Sequence, residues 1–189
     1  KTGFNILDPD AVIEMMTSDG KMIEKGQKLA IVKGHIPELL KGERVVLNLV
    51  QRMSGIATKT QEAIVTLGDP HIRICDTRKT TPGLRMLEKY AVRAGGGYNH
   101  RYGLYDAVMI KDNHIGFAGS ITKAVEEVRK AIGHMVKIEV ETESKEQVLE
   151  AVECKVDCIM FDNRTPKEIK ELITLVPEGI TTEASGGIN

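Results

Sequence analysis

From residue 72 to the end of the chain, short apolar segments alternate with longer amphipathic ones, and this alternation constrains the fold most strongly. Repeated strand and helix units form parallel sheets, because each pair of parallel neighbours needs a right-handed crossover that covers the sheet. The sequence therefore predicts an α/β fold, either a βα barrel or an open doubly wound sheet, and we favour the barrel. The predicted strands are residues 72–75, 107–110, 136–141, 158–161 and 181–185, and the predicted helices include 84–94 and 120–132.

Capping signals mark where several of these helices begin. Ser120 is the candidate N-cap of one helix, and Ser144 with Gln147 has the spacing of a capping box. Thr165 and Glu168 repeat that spacing, with a proline at the first helical position. We expect two further helices to begin after Ser144 and Thr165.

The first part of the chain has a different pattern. Turn dipeptides and a strand candidate at residues 28–33 predict part of a small sheet within residues 1–42. From residue 43, apolar residues at helical spacing predict a long amphipathic helix that runs towards Leu67. Gly68 and Pro70 are expected to end it.

The segment 136–141 bears on the choice between barrel and open sheet. Lys137, Glu139 and Glu141 share one face of this strand, because side chains alternate with period two. A central strand of a doubly wound sheet is apolar on both faces, whereas a barrel mouth accepts charges. An edge strand with a solvated face explains the pattern equally well.

Composition excludes several classes of protein. Lys plus Arg number 26 against 27 Asp plus Glu, for a net charge of −1, so no overall basic field favours nucleic acid or an anionic membrane. No apolar run reaches the roughly 18 residues that a membrane-spanning helix needs. We expect neither partner. The chain begins with Lys1 and carries no targeting signal, so we expect a piece of a longer protein.

The three cysteines do not suggest a disulfide framework. Their odd number and scattered positions are typical of a reducing, cytoplasmic compartment. Cys154 and Cys158 are four residues apart, but no second Cys or His pair completes a zinc site. Buried, unreactive thiols are the favoured interpretation over a metal site.

Basic residues collect near the ends of the first two predicted strands. Residues 76–111 contain seven Lys or Arg against three Asp or Glu. Arg78, Lys79, Arg101 and Lys111 lie in loops at strand ends, where reactive groups of barrels gather, and they predict an anion site. Surface cations with no ligand are the alternative. The three remaining cations, on helix 84–94, are expected to form a solvated face, and they are Arg85, Lys89 and Arg93.

Acids and glycines follow the later strands. Glu141 and Asp162 suit ribose hydroxyls or a divalent metal, or form ordinary salt bridges. The sequence Ser185, Gly186, Gly187 is a candidate phosphate grip. Residues 95–97, three glycines, suit either an anion loop or a tight turn. His100 is a candidate acid or base without an evident nucleophile.

Familiar nucleotide and hydrolase motifs are missing from the sequence. No GxGxxG follows a predicted strand, and neither a GxxxxGK[ST] phosphate loop nor a GxSxG elbow occurs. Dinucleotide redox chemistry, P-loop hydrolysis and α/β-hydrolase chemistry therefore lose support.

Four segments together resemble the quinolinate phosphoribosyltransferase family. They are ERVVLNLVQRMSGIAT, DTRKTTPGLR, EKYAVRAGGGYNHRYGLYDAVMIKDNHI and EASGGI, and the resemblance extends from about residue 20 to residue 189. It implies an α/β barrel, incomplete or open here, over residues 46–189, after part of a small α/β sandwich domain over residues 1–45. The implied reaction joins quinolinate and phosphoribosyl pyrophosphate into nicotinate mononucleotide, pyrophosphate and carbon dioxide in NAD biosynthesis, with Mg²⁺.

The resemblance also implies roles for individual residues. Quinolinate is expected to contact Arg78, His100, Arg101 and Lys111, together with Arg44 from the other subunit of a homodimer. Phosphoribosyl and phosphate groups are expected to contact Lys79, Glu141, Asp162, Ser185, Gly186 and Gly187. Lys79, Lys111, Glu141 and Asp162 are the expected catalytic residues, and Glu141 and Asp162 are expected to hold the metal directly or indirectly.

Two rival interpretations remain. One is a paralogue on the same scaffold that uses another base, such as nicotinate, although Arg44, Arg78, His100 and Arg101 together favour a dianionic base. The other is a non-catalytic module that binds a phosphorylated ligand.

Overall fold

The computed structural model describes residues 1–188, so that Asn189, the last residue of the predicted barrel domain, lies outside the described residues. The chain forms two compact units, Lys1–Tyr102 and Gly103–Asn189. No helix among the described residues is long and apolar enough to cross a membrane.

The first unit combines a small sheet with helices. It consists of α1 (Thr2–Leu7), β1 (Val12–Met15), β2 (Ala30–Lys33), α2 (Ile36–Leu67) and α3 (Arg85–Ala94). The predicted small sheet is confirmed as an antiparallel pair, with Ile13 opposite Val32. The small helix α1 has no counterpart among the sequence predictions.

Helix α2 begins at Ile36, earlier than the predicted start at residue 43. Pro37 lies in its first turn, where a missing N–H is tolerated, and His35 precedes it in an extended conformation. Its end is as predicted, because Gly68 adopts a left-handed conformation with φ 66°.

The predicted strand at residues 72–75 is wrong. Only one parallel bridge forms there, between Cys75 and Tyr98. Two hydrogen bonds form this bridge. The Tyr98 amide donates to the Ile74 carbonyl (2.8 Å), and the Asp76 amide donates to the Tyr98 carbonyl (3.0 Å). Residues 95–97, which directly precede Tyr98, form a glycine-rich turn and not a strand, so pairing extends no further.

The second unit is a parallel sheet covered by helices. The strands are β3 (Val108–Ile110), β4 (Ile138–Thr142), β5 (Cys158–Asp162) and β6 (Thr181–Ser185), and they lie in the order of the chain. The helices are α4 (Asp112–Ala118), α5 (Ile121–Ala131), α6 (Lys145–Glu153) and α7 (Pro166–Leu172), followed by a short 3₁₀ turn. Four strands do not close a barrel, which needs eight.

The predicted helix caps of the second unit are confirmed. The side chains of Ser120, Ser144 and Thr165 each accept a hydrogen bond from the backbone N–H three residues on. Thr165 and Glu168 form a complete capping box. Helix α4 was not predicted, because its seven residues carry too few apolar positions for a helical pattern.

One face of the parallel sheet forms the core of the second unit. Ile110, Ile138, Val140, Ile159 and Phe161 are all at most 3% exposed and belong to one hydrophobic cluster with residues of α5 and α6. Residues on the other face alternate with these, so they form a separate row of side chains. That second face carries the acids and the serine predicted from the sequence for this unit, Glu141, Asp162 and Ser185.

Candidate active site

In the first unit, the loop that follows residue 75 is held by two helices. Arg85 on α3 donates to the Thr80 hydroxyl (3.2 Å) and to the Tyr102 carbonyl (3.1 Å). Glu88 on α3 accepts a hydrogen bond from the Thr81 amide (3.1 Å), and Arg52 on α2 donates to Glu88 (2.7 Å). These bonds fix the part of the loop that directly follows Arg78 and Lys79.

Arg78 and Lys79 differ in their surroundings. Arg78 is half-buried, and its Nε is a buried donor that has no hydrogen-bond partner among the described residues. A buried unpaired donor costs free energy, so this guanidinium suits a carboxylate or phosphate ligand. Lys79 is exposed, and its backbone amide donates to the Thr77 hydroxyl (3.0 Å).

His100 and Arg101 follow the glycine-rich segment and are both half-buried. The His100 amide donates to Asp76 Oδ1 (2.9 Å), and the His100 carbonyl accepts from Lys89 Nζ (2.9 Å). The backbone from which the His100 and Arg101 side chains extend is therefore fixed by buried charged groups.

The glycines at residues 95–97 are explained by close packing. A Cβ on Gly95 would lie 2.4 Å from the Ala57 carbonyl oxygen of α2, and one on Gly97 would lie 2.7 Å from the Thr60 side chain. The alternative of an anion-binding loop is therefore not needed to explain them.

The expected solvated face of α3 is wrong for two of its three cations. Lys89 is 0% exposed, and Arg85 is half-buried by its bonds to the loop. Only Arg93 is exposed, where its guanidinium lies over the Tyr98 ring, 4.8 Å from the centroid. The pattern of cations at every fourth position did not distinguish a solvated face from one that supports a loop.

Arg44, the remaining predicted residue of the first unit, lies exposed on α2. Its side chain forms no hydrogen bond or ion pair with another described residue.

In the second unit, four predicted residues lie at the carboxyl ends of adjacent strands. Glu141 is opposite Met160, and Asp162 is opposite Ser185. Because side chains two apart share a face, Glu141, Asp162 and Ser185 lie on the face opposite the hydrophobic core. Lys111, one residue past β3, forms a salt bridge with Glu141, whose side chain is 12% exposed.

The loops after β5 and β6 contact each other. Asn163 has φ 50°, its amide donates to the Ser185 carbonyl (2.8 Å), and its side chain donates to Asp162 Oδ2 (2.7 Å). A Cβ on Gly186 would lie 2.0 Å from Asn163 Oδ1, and φ is 82° there, so only glycine fits. Gly187 follows, also with positive φ.

The two acids at these strand ends, Glu141 and Asp162, partly fit a magnesium ion. Carboxylate oxygens are the ligands that Mg²⁺ prefers, and Glu141 and Asp162 lie on neighbouring strands of one face. Lys111 already neutralises Glu141, which favours contact through water or substrate over direct ligation of the metal by both acids.

The expectation of buried thiols is met only in part, because Cys154 and Cys158 are half-buried and Cys75 is exposed. The Cys154 thiol lies 3.6 Å from the Thr122 hydroxyl, and the Cys158 thiol lies 3.9 Å from a Glu139 oxygen. Burial, reinforced by the negative charges of Glu139 and Glu183, raises the pKa of the Cys158 thiol far above its ordinary range. Cys158 therefore stays protonated and a poor nucleophile at neutral pH.

Comparisons with known proteins agree with the resemblance in the sequence. The family model of the quinolinate phosphoribosyl transferase C-terminal domain matches residues 56–189, and that of the N-terminal domain matches residues 4–54. A probable nicotinate-nucleotide pyrophosphorylase (carboxylating) from Bacillus subtilis is 58% identical over 188 residues. A protein of the same description from Synechocystis is 46% identical over 188 residues.

The alignments cover nearly all of this chain but only part of each relative. The alignments cover 100% and 98% of this chain but only 65% and 64% of the Bacillus and Synechocystis proteins. Among solved structures, NadC from Streptococcus pyogenes has a TM-score of 0.93 and 42% identity, over 98% of this chain and 66% of that one. The chain thus spans less than two thirds of the length of these curated relatives.

Proposed function

Because the chain belongs to the quinolinate phosphoribosyltransferase family, we propose that the protein transfers phosphoribosyl from phosphoribosyl pyrophosphate to quinolinate. The products are nicotinate mononucleotide, pyrophosphate and carbon dioxide, in NAD biosynthesis. The observation that carries this proposal is the polar row of the second unit, in which Lys111, Glu141, Asp162 and Ser185 lie at consecutive strand ends.

The base-binding part of the proposal concerns the first unit. Quinolinate has two carboxylates, and Arg78, His100 and Arg101 offer donors of matching charge. The buried, unpaired Nε of Arg78 supports this assignment, because a carboxylate oxygen would satisfy it. Lys111 adds a further cation for the same ligand, and Arg44 from the partner of a homodimer adds another.

The sugar-binding part concerns the strand ends of the second unit. Glu141 and Asp162 accept hydrogen bonds from the ribose hydroxyls, and residues 185–187 receive the 5′-phosphate at backbone amides near two glycines. Lys79 and Lys111 face the pyrophosphate. As the bond to pyrophosphate breaks, positive charge develops on the ribose, and the nearby carboxylates stabilise it.

Loss of carbon dioxide follows from the new bond. The ring nitrogen of quinolinate attacks the ribose carbon, which makes the ring positively charged. The carboxylate next to this nitrogen then leaves as carbon dioxide, and the electrons of the broken bond stay on the ring carbon until it takes a proton. No covalent bond to the protein is needed.

Magnesium belongs to the same proposal. Glu141 and Asp162 would hold it, at least partly through the ribose hydroxyls or water, since Lys111 pairs with Glu141. When bound there, Mg²⁺ would supply positive charge to balance the charge that develops on departing pyrophosphate.

The wider architecture also remains part of this proposal. The strands of the second unit lie in chain order, which supports a singly wound βα barrel that further strands would complete. We retain residues 1–45 as part of a sandwich domain and 46–189 as the barrel domain. A cytoplasmic site of action is part of the proposal, because an odd number of scattered cysteines is typical of a reducing compartment.

The proposed assignment of Arg101 is tested by binding measurements on the full-length protein. Replacing Arg101 by Ala removes charge-assisted hydrogen bonds and should raise the Kd for quinolinate by about 10- to 100-fold. The Kd for phosphoribosyl pyrophosphate should stay nearly constant. Arg129→Ala is the matched control, because Arg129 contacts only the carbonyls of residues 154 and 155 among described residues. Calorimetric titration that shows equal losses for both ligands would refute the assignment.

A further inference from the structure

Lys89 is a fully buried cation that has no role in the proposed reaction. Its side chain is 0% exposed and pairs with Asp76, whose side chain is 6% exposed. The ammonium also donates to the His100 carbonyl (2.9 Å) and lies over the Tyr102 ring, 5.0 Å from its centroid. Its three protons therefore face a carboxylate, a carbonyl and an aromatic ring.

Both carboxylate oxygens of Asp76 accept hydrogen bonds from the segment that contains Asn99 and His100. One oxygen accepts from Lys89 and from the His100 amide (2.9 Å), and the other accepts from the Asn99 side chain. The Asn99 side-chain amide also donates to the Lys89 carbonyl (2.9 Å) and accepts from the Tyr102 hydroxyl (3.0 Å). The backbone N–H of His100 thus donates to Asp76 and its carbonyl accepts from Lys89, so both members of the ion pair bind His100.

Stability alone does not explain why these charges are buried. Removing two charges from water costs more than their attraction returns unless further hydrogen bonds compensate, and well-packed apolar residues are often as stable. Among the described residues, the hydrogen bonds of this network join residues 99–102 to Lys89 and to Asp76, at the start of the loop that carries Arg78. What the network provides is one fixed backbone conformation for that segment.

We propose that Lys89, Asp76 and Asn99 are positioning residues for binding of the base. They hold the backbone of His100 and Arg101, and Asp76 also anchors the start of the loop that carries Arg78. This inference rests on the proposed function, because it assigns the dicarboxylate to those side chains. Geometric precision matters there, since two carboxylates must meet several donors at once.

The test compares two buried aspartates of the first unit. Asp8, like Asp76, is almost fully buried (4% exposed) and accepts hydrogen bonds from backbone amides, those of Asp10 (3.1 Å) and His35 (2.9 Å). Asp76→Asn and Asp8→Asn are therefore matched isosteric changes. Quinolinate and phosphoribosyl pyrophosphate are titrated separately into each full-length variant, and amide hydrogen exchange is followed at His100.

We expect Asp76→Asn to raise the Kd for quinolinate by about tenfold or more and to speed exchange of the His100 amide, with the Kd for phosphoribosyl pyrophosphate nearly unchanged. Asp8→Asn should change neither Kd. Asn99→Ala, which leaves the ion pair intact, should give a smaller loss in the same direction and serves if Asp76→Asn does not fold.

Four results would overturn the inference. Equal losses for both ligands in Asp76→Asn, or the same losses in Asp8→Asn, would mean that the network is only structural. Unchanged quinolinate binding in Asp76→Asn beside a binding wild type would overturn the positioning role alone. A wild type that binds no quinolinate would instead overturn the proposed function and, with it, this role.

Discussion

Glu88 shows how a single carboxyl group is balanced between burial and hydrogen bonding. Burial opposes its ionisation, but the hydrogen bonds from Thr81 and Arg52 outweigh that effect and lower the pKa of Glu88. A lowered pKa in the folded state means that the unfolded chain binds the proton more tightly. Stability from Glu88 is therefore complete above the unfolded pKa and is lost as the pH falls through the folded one.

Replacing Glu88 by Gln should remove this pH dependence. At pH 7 the variant should have a lower Tm than the wild type. This difference in Tm should shrink as the pH falls below about 4, near the reference pKa of a free glutamate. Thermal melts of both proteins between pH 7 and pH 3 measure it. The exposed Glu178→Gln provides the control. A difference that stays constant or grows towards low pH would contradict the assigned pKa shift.

Individual residues also show where sequence reasoning succeeds and fails. The polar residues at strand ends were predictable, because strand alternation and strand ends are visible in the sequence. The role of Lys89 was not, since a buried lysine has the same spacing as a solvated one. Its partners Asp76 and Asn99 lie 13 and 10 residues away, and only the folded loop brings them together.

At the scale of elements, α3 supports both loops of the first unit that carry proposed ligand-binding residues. Arg85 and Glu88 hold the loop of Arg78, and Lys89 holds residues 99–102. The helix itself was predicted from its apolar spacing. The wrong strand at residues 72–75 and the unpredicted α4 are short segments, for which local pattern is a weak guide.

The contact between α2 and α3 gives a prediction at this scale. The three atoms nearest to a Cβ on Gly95, directly after α3, would be backbone atoms of Ala57 on α2, at 2.4 to 3.0 Å. Gly95→Ala should therefore lower the free energy of unfolding by about 1–3 kcal/mol, as overpacking does. Urea denaturation measures this loss.

The control for Gly95 lies in α2 itself. A Cβ on Gly55 would meet nothing within 4 Å, so Gly55→Ala should be neutral or raise the free energy of unfolding by up to about 1 kcal/mol. If both alanine variants lose stability equally, the close approach of Gly95 to α2 is not what the sequence requires there.

At the scale of the molecule, the two units differ in how they bury apolar surface. The second unit has one hydrophobic cluster between sheet and helices, whereas α2 of the first unit leaves many apolar side chains exposed. Ile36, Leu40, Val45 and Val65 are each at least 61% exposed on that helix. Exposed Ile36, Leu40 and Val45, near exposed Arg44 on this helix, support the proposed homodimer, because exposed apolar areas mark interaction sites.

The products of a decarboxylating transfer distinguish the proposed reaction from both rivals. A paralogue would use nicotinate, which has no second carboxylate to lose, and a binding module would form no product. The reaction itself therefore tests the roles proposed for residues of each unit.

The most direct measurement is carbon dioxide released from quinolinate labelled in the carboxylate next to the ring nitrogen. The full-length protein is supplied with phosphoribosyl pyrophosphate and Mg²⁺, and nicotinate mononucleotide is quantified in the same sample. We predict equal amounts of the two products, none without phosphoribosyl pyrophosphate and none with nicotinate as the base. Nucleotide formed from nicotinate, or no product from a folded protein that binds both ligands, would contradict the account.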